Sequence, residues 1–208
     1  MSAPKVILTS IDRKLAEAWQ RHCGTFPFVE VHHGSIFDVS VDAVVSPANS
    51  FGFMDGGMDR LLTERFGQEL QARLQQMIRT HHHGELLVGT AEILETEQEM
   101  PAFLISAPTM RVAMPLSHSV NPYLAARAVF LLWKFGVIRE GRWAGEAVSK
   151  HVKSIAFPGL GTGAGGIPPV VCAKQMRDAI TEVLLERGVF PQSVQQARKW
   201  HDRMCDKS

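Results

Sequence analysis

Apolar and polar positions alternate along this chain in two periods, and the switches between them outline the elements. Pro4 to Ser10 is a short run rich in β-branched residues and predicts a strand; Asp12 then caps a stretch in which Leu15, Trp19 and Cys23 recur at helical spacing. Val29 to His32 and Asp42 to Pro47 predict two further strands, the second a nearly continuous apolar run of the kind buried on both faces. From Asp59 the series Leu61, Leu62, Phe66, Leu70, Leu74, Ile78 is helical, with a break expected near Gly67 and an end at His81-His82-His83-Gly84. Val88 to Leu94 and Phe103 to Ala107 read as strands. Asn121-Pro122 opens a helix that stops at Gly136, Val152 to Pro158 is a last strand, and Pro168-Pro169 opens a final helix with Cys172, Met176, Ile180 and Leu184 on one face, ended by Gly188. The segment from Gly136 to His151 and the polar stretch after Phe190 carry no pattern that assigns them an element.

Strands alternating with helices predict a mostly parallel or mixed sheet covered on both faces, and ligands of such folds bind beyond the carboxyl ends of the strands. With 208 residues, 45% of them hydrophobic, and no low-complexity linker, the expectation is one domain over residues 1–190 and a polar tail over 191–208. A formal net charge of +1 leaves no global field to hold nucleic acid or a membrane surface. Apolar runs fall far short of the about 20 residues that cross a bilayer, and charged residues interrupt the first fifteen positions, so a cytoplasmic location is the default expectation. Cys23, Cys172 and Cys205 are widely spaced and odd in number, which suits free thiols; Cys172, on the apolar helix face, reads as core.

Two loops stand between a buried strand and a helix. Ser50 to Asp59 contains Gly52, Gly56 and Gly57; Gly159 to Gly166 contains five glycines. Glycine lets backbone N–H groups face a ligand without an intervening side chain, and the helix that follows adds a partial positive end, so two such loops can clasp a diphosphate. The second loop also matches G-x-G-x-x-G, but no further strand with an acidic residue follows, since Glu186 lies in a helical pattern; a dinucleotide-binding reading of the Rossmann type fails there. No Lys-Ser or Lys-Thr follows the glycines, which removes a Walker A loop. His81-His82-His83 is no metal site, because adjacent residues point in different directions, and His32, His33 and His118 lack partners at ligand spacing. Neither a metal nor a cofactor is called for.

Gly34-Ser35-Ile36-Phe37, Asp42 to Asn49, Gly56-Gly57-Met58-Asp59 and Gly161-Thr162-Gly163-Ala164-Gly165-Gly166, with Val88 to Ala91 and Tyr123 to Ala128 in support, together resemble the successive signatures of macrodomains. The resemblance spans about Val29 to Leu185. It implies a three-layer α/β/α sandwich with a mixed, mostly parallel central sheet, and ADP-ribose, free or on a modified protein, in a cleft formed by Ser35, Ile36, Asn49, Gly56, Gly57, Gly161, Thr162, Gly163, Ala164, Gly165 and Gly166. Asn49 would hydrogen-bond the distal ribose, Gly161 to Gly166 would wrap the phosphates, and Asp59 matches the acidic residue that positions or activates water in hydrolytic members. Asp59 also suits the N-cap of the helix behind it.

The chain departs from the family pattern in three places. Ser35 stands where many members have an acid that accepts from the adenine amino group, Ser46 replaces the first Asn of the usual Asn-Ala-Ala-Asn stretch, and Gly165 replaces an aromatic that packs on the distal ribose. Phe51 or Phe53 can supply that apolar face. The resemblance therefore implies either an enzyme that removes ADP-ribose from an acidic side chain or deacylates O-acyl-ADP-ribose, with Asp59 and Asn49 as its catalytic pair, or a module that only reads ADP-ribose. A phosphatase acting on ADP-ribose 1″-phosphate is the third reading.

Overall fold

The computed structural model describes residues 3–205. Six strands form one sheet: β1 (Lys5–Ser10), β2 (Val29–His33), β3 (Ala43–Ser46), β4 (Glu92–Glu95), β5 (Phe103–Ser106) and β6 (Ser154–Phe157), in the order β2-β1-β6-β3-β5-β4. Every neighbouring pair is parallel except β4 with β5. Strand alternation sorts the two faces: Val6, Leu8, Ala43, Val45, Ile155 and Phe157 enter one core, and Ile7, Val44, Ala156 and Leu104 the other. The first core packs α1 (Arg13–Cys23), α4 (Asn121–Phe135) and α6 (Pro169–Ala179); the second packs α2 (Gly57–Phe66) and α3 (Gln68–His81). This is the expected three-layer α/β/α sandwich with a mixed, mostly parallel sheet.

Local chemistry explains most element ends. The Asp12 carboxylate accepts from Lys14 N at the start of α1, and Gly67, at φ +87°, separates α2 from α3. Pro122 stands in the first turn of α4.

Three expectations need correction. The strand drawn from Val88 starts only at Glu92, because Gly89 sits at φ +95° and turns the chain before it. The helix opened by Pro169 widens into a π-helical turn over Ile180–Leu184, where Leu185 N donates to Ile180 O, so Val183 is buried in the core and Leu184 packs against it only partly buried. Nor is that helix the last: α7 (Val194–Met204) follows, its N-terminus capped by Ser193 Oγ. Gln175, fully buried on α6, docks the end of α7. Its Nε2 donates to Ser119 O and Met204 O, and its Oε1 accepts from Tyr123 N. The unassigned Gly136–His151 segment closes through a Val137–Ala147 bridge, lays Trp143 against Phe103 and His151, and ends in the short α5 (Val148–His151). Cys23, Cys172 and Cys205 are buried.

Candidate functional site

Pairing between the central strands does not stop where β3 and β5 end. Ala107 N donates to Ser46 O, Thr109 N to Ala48 O and Ser50 N to Arg111 O, with an isolated bridge between Asn49 and Met110. These bonds carry the segment after β5 alongside the first glycine loop and set Thr109 and Met110 against Asn49. Within that loop the Asn49 amide organises its own backbone: Oδ1 accepts from Phe51 N and Phe53 N, and Nδ2 donates to Phe53 O at 2.8 Å.

Asp59 lies in the first turn of α2 and is 9% exposed. It is not the cap of that helix. Gly56 occupies the N-cap without a side-chain bond, and the Asp59 carboxylate instead accepts from Ser46 Oγ at 2.5 Å. Burial pushes the Asp59 carboxyl up to about 6; the Ser46 hydrogen bond opposes that rise and the Asp55 charge adds to it. Thr63 Oγ1 bonds both Met54 O and Asp59 O, tying α2 to the loop that carries Phe53.

The second loop leaves β6 and folds back through Gly161 (φ +68°) and Gly166 (φ +64°), held by bonds from Gly166 N to Gly163 O and Ile167 N to Gly161 O. Among the described residues, the backbone N–H groups of residues 161–165 donate to no other protein group, and neither do those of residues 55–58. Two rows of uncommitted donors, the first continued by the positive end of α2, form an anion-binding surface.

The two loops line one cleft of about 240 Å³. Of the residues expected from the sequence, Asn49, Gly56, Gly57, Asp59, Gly161, Gly163, Ala164 and Gly165 line it; Ser35, Ile36, Thr162 and Gly166 are not among the lining residues. Ile36 is buried in the core beneath α2 and α3, and Ser35 caps a short 3₁₀ turn, its hydroxyl accepting from Phe37 N while Asp38 accepts from its N–H. Phe53, half exposed, supplies an apolar wall; Phe51 instead lies under the Arg111 guanidinium. No aromatic could stand at Gly165 on this backbone, since a Cβ there would fall 2.5 Å from Gly161 O and 2.8 Å from Leu116, which fills that space.

Pattern reading did not find Thr109, Met110 and Ala113, which complete the lining from the segment between β5 and α4. Their only sequence signal is position, directly behind a buried strand. Leu116 N donates to Gly165 O, so this segment bridges from Asn49 to the second glycine loop. Among the described residues, Asp55 and Asp59 are the only ionisable side chains in the lining, with no lysine, arginine or histidine beside them. An anionic ligand would therefore be held by backbone donors.

Known proteins resemble this chain in sequence and in fold. An uncharacterized protein of Aquifex aeolicus is 31% identical over 153 residues, which cover 73% of this chain and 80% of that protein. A protein of Citrobacter rodentium named O-acetyl-ADP-ribose deacetylase is 27% identical over 168 residues, or 77% of this chain and 82% of its own length. Among solved structures, an Oceanobacillus iheyensis macrodomain mutant with ADPR is similar at a TM-score of 0.58 and 20% identity, over 84% of this chain and 87% of that one. The model of the family described as Macro domain matches residues 45–176, from β3 and the first glycine loop through the second loop into α6, and the chain belongs to that family.

Proposed function

We propose that this chain binds ADP-ribose between its two glycine loops and hydrolyses an ester at the distal ribose, of the kind found in O-acyl-ADP-ribose or on an ADP-ribosylated acidic side chain. The observation that carries the reading is the placement of Asp59, a buried carboxyl shifted to about 6, in the wall of a cleft otherwise furnished with uncommitted N–H donors. The donors of residues 161–165 receive the diphosphate, with Gly56 and Gly57 beside the ribose. Asn49 shapes the ribose subsite: three of its hydrogen bonds hold the 50–53 loop, and its remaining amide hydrogen is left for a sugar hydroxyl.

Above its pKa, Asp59 accepts a proton from water as that water attacks the ester carbonyl, while Ser46 fixes which oxygen faces the reaction. A carboxyl shifted toward neutrality is a stronger base than an ordinary one and still mostly ionised at pH 7. The deacetylase name of a relative and the ADPR of a structural neighbour support this assignment. The phosphatase reading fits less well, since a 1″-phosphate would bring further negative charge beside Asp55 and Asp59 with no cation in the lining.

Calorimetric titration with ADP-ribose, with AMP and NAD as controls, tests the cleft, and chromatography of O-acetyl-ADP-ribose with wild type and Asp59→Ala tests the chemistry. Selective binding with turnover lost in the variant is expected. Binding with no turnover by the wild type would leave the reader module, and an unchanged rate in Asp59→Ala would remove the catalytic role.

A further inference from the structure

Beyond the one apolar face on which a distal ribose packs, the cleft offers further apolar surface. Asn49 joins Phe53 through its amide and Met110 through its bridge, and Thr63 ties the Met54 carbonyl to that of Asp59. Phe53, Met110 and Ala113 line the same cleft as Asp59, Met110 largely buried and Phe53 half exposed. The apolar surface continues outside the cleft. Phe53 is 51% exposed, and Val112 and Met114, from the same segment as Met110 and Ala113, are 49% and 47% exposed. Apolar side chains left open to water at the rim of a site are a surface on which an apolar ligand group gains by burial. Asp55 and Asp59, the only charged side chains in the lining among the described residues, are negative and would repel a carboxylate on that group.

We infer that the shelf made by Phe53, Met110 and Ala113 receives the aliphatic part of the acyl group, so that the enzyme is selective for neutral esters with chains longer than acetyl. The inference rests on the ester-hydrolase reading and adds the class of acyl group. The group leaves as its carboxylate: water oxygen bonds to the acyl carbon, the bond from that carbon to the ribose oxygen breaks, and the ribose oxygen takes up a proton. The bonds made and broken are the same for every chain length, so rate differences within a series report contact with the shelf.

A methylene fully removed from water is worth roughly fourfold in binding. A hexanoyl group carries four more carbons than acetyl, and on a shelf that is half open the expected gain in kcat/KM is on the order of tenfold. The experiment compares O-acetyl-, O-hexanoyl- and O-succinyl-ADP-ribose as substrates of the whole chain and of Phe53→Ser, with ADP-ribose release read by chromatography. Hexanoyl is expected to exceed acetyl by about tenfold and succinyl to fall below acetyl, with the hexanoyl-to-acetyl ratio dropping toward one in Phe53→Ser. A second variant, Ala113→Asp, is expected to depress the hexanoyl rate more than the acetyl rate. Equal wild-type rates for acetyl and hexanoyl, or a ratio that both variants leave intact, would overturn the shelf and leave the hydrolase standing. Release from none of the three esters would overturn the hydrolase and the shelf together.

Discussion

Ser46 Oγ donates to Asp59 Oδ1 across 2.5 Å, joining the last residue of β3 to the first turn of α2 inside the wall of the cleft. Ser46 is fully buried and Asp59 nearly so, so the carboxylate has lost most of its water and is held by one hydroxyl. This contact orients the carboxylate and also moderates the rise in its pKa.

Hydrolysis should accordingly rise with pH through about 6 and level off above 7, as Asp59 loses its proton. In Ser46→Ala the opposing hydrogen bond is gone, and the acid limb of the profile should move to higher pH. A pH profile of kcat/KM for both proteins measures this; identical acid limbs would mean that Ser46 does not tune the carboxylate.

Stability should show the same group from the other side. Because the folded pKa of Asp59 is raised, the native chain holds this proton more tightly than the unfolded one. The associated stability is present below about 4 and is lost as pH rises through about 6. At pH 8 the ionised, buried carboxylate then costs roughly 3 kcal/mol. Asp59→Asn, which keeps an acceptor for Ser46, should be more stable than wild type at pH 8, should lose that advantage near pH 4, and should be at least about a hundredfold slower. Urea denaturation at the two pH values and a turnover assay at pH 8 check these three outcomes.

Gly163 and Gly165 should separate ligand effects from fold effects. A Cβ on Gly163 meets nothing within 4 Å, and its backbone is not in the left-handed region, so Gly163→Val should fold with a melting temperature close to wild type. Its side chain would stand over the row of donors, and ADP-ribose affinity should fall by about tenfold or more. Gly165→Ala places its Cβ 2.5 Å from Gly161 O and should instead destabilise the fold by about 1–3 kcal/mol. Paired thermal melts and calorimetric titrations distinguish the two; an unimpaired affinity in Gly163→Val would place the ligand elsewhere.

Gln175 predicts the energetic standing of α7. Gln175→Leu leaves Tyr123 N, Ser119 O and Met204 O without their partner in a buried setting, at about 1–3 kcal/mol for each group that water cannot reach. The variant should lose about 3 kcal/mol in urea denaturation, and α7 should become the first segment cut by limited proteolysis. A variant as stable and as resistant as wild type would show that α7 docks without this side chain.

What the chain declares by itself is whatever depends on near neighbours in sequence. The buried run through β3, the Asp12 cap, the break at Gly67, the Pro122 helix start and the two strand-loop-helix glycine segments are each determined within a few residues, and all are legible without coordinates. So was a mostly parallel or mixed sheet covered on both faces, because the alternation of periods leaves few ways to bury each apolar face. Gly89 shows where local reading fails: an apolar run around a glycine reads as strand until its positive φ turns the chain.

Only the tertiary structure decided how the carboxyl of Asp59 is used. Its position in sequence suits a helix cap, yet a hydroxyl thirteen residues earlier claims it, because the strand β3 brings Ser46 under the first turn of α2. The same holds for Met110 and Ala113, more than fifty residues beyond Asn49 in the chain and carried into the cleft by backbone bonds that continue the pairing of β3 with β5. Backbone pairing takes no account of side-chain identity, so it leaves no signature in the residues it brings together. The tail followed suit: its polar pattern assigns it no element, and it is Gln175 on another helix, with Met204 in the core and Trp200 against Tyr123, that gives it a place in the fold.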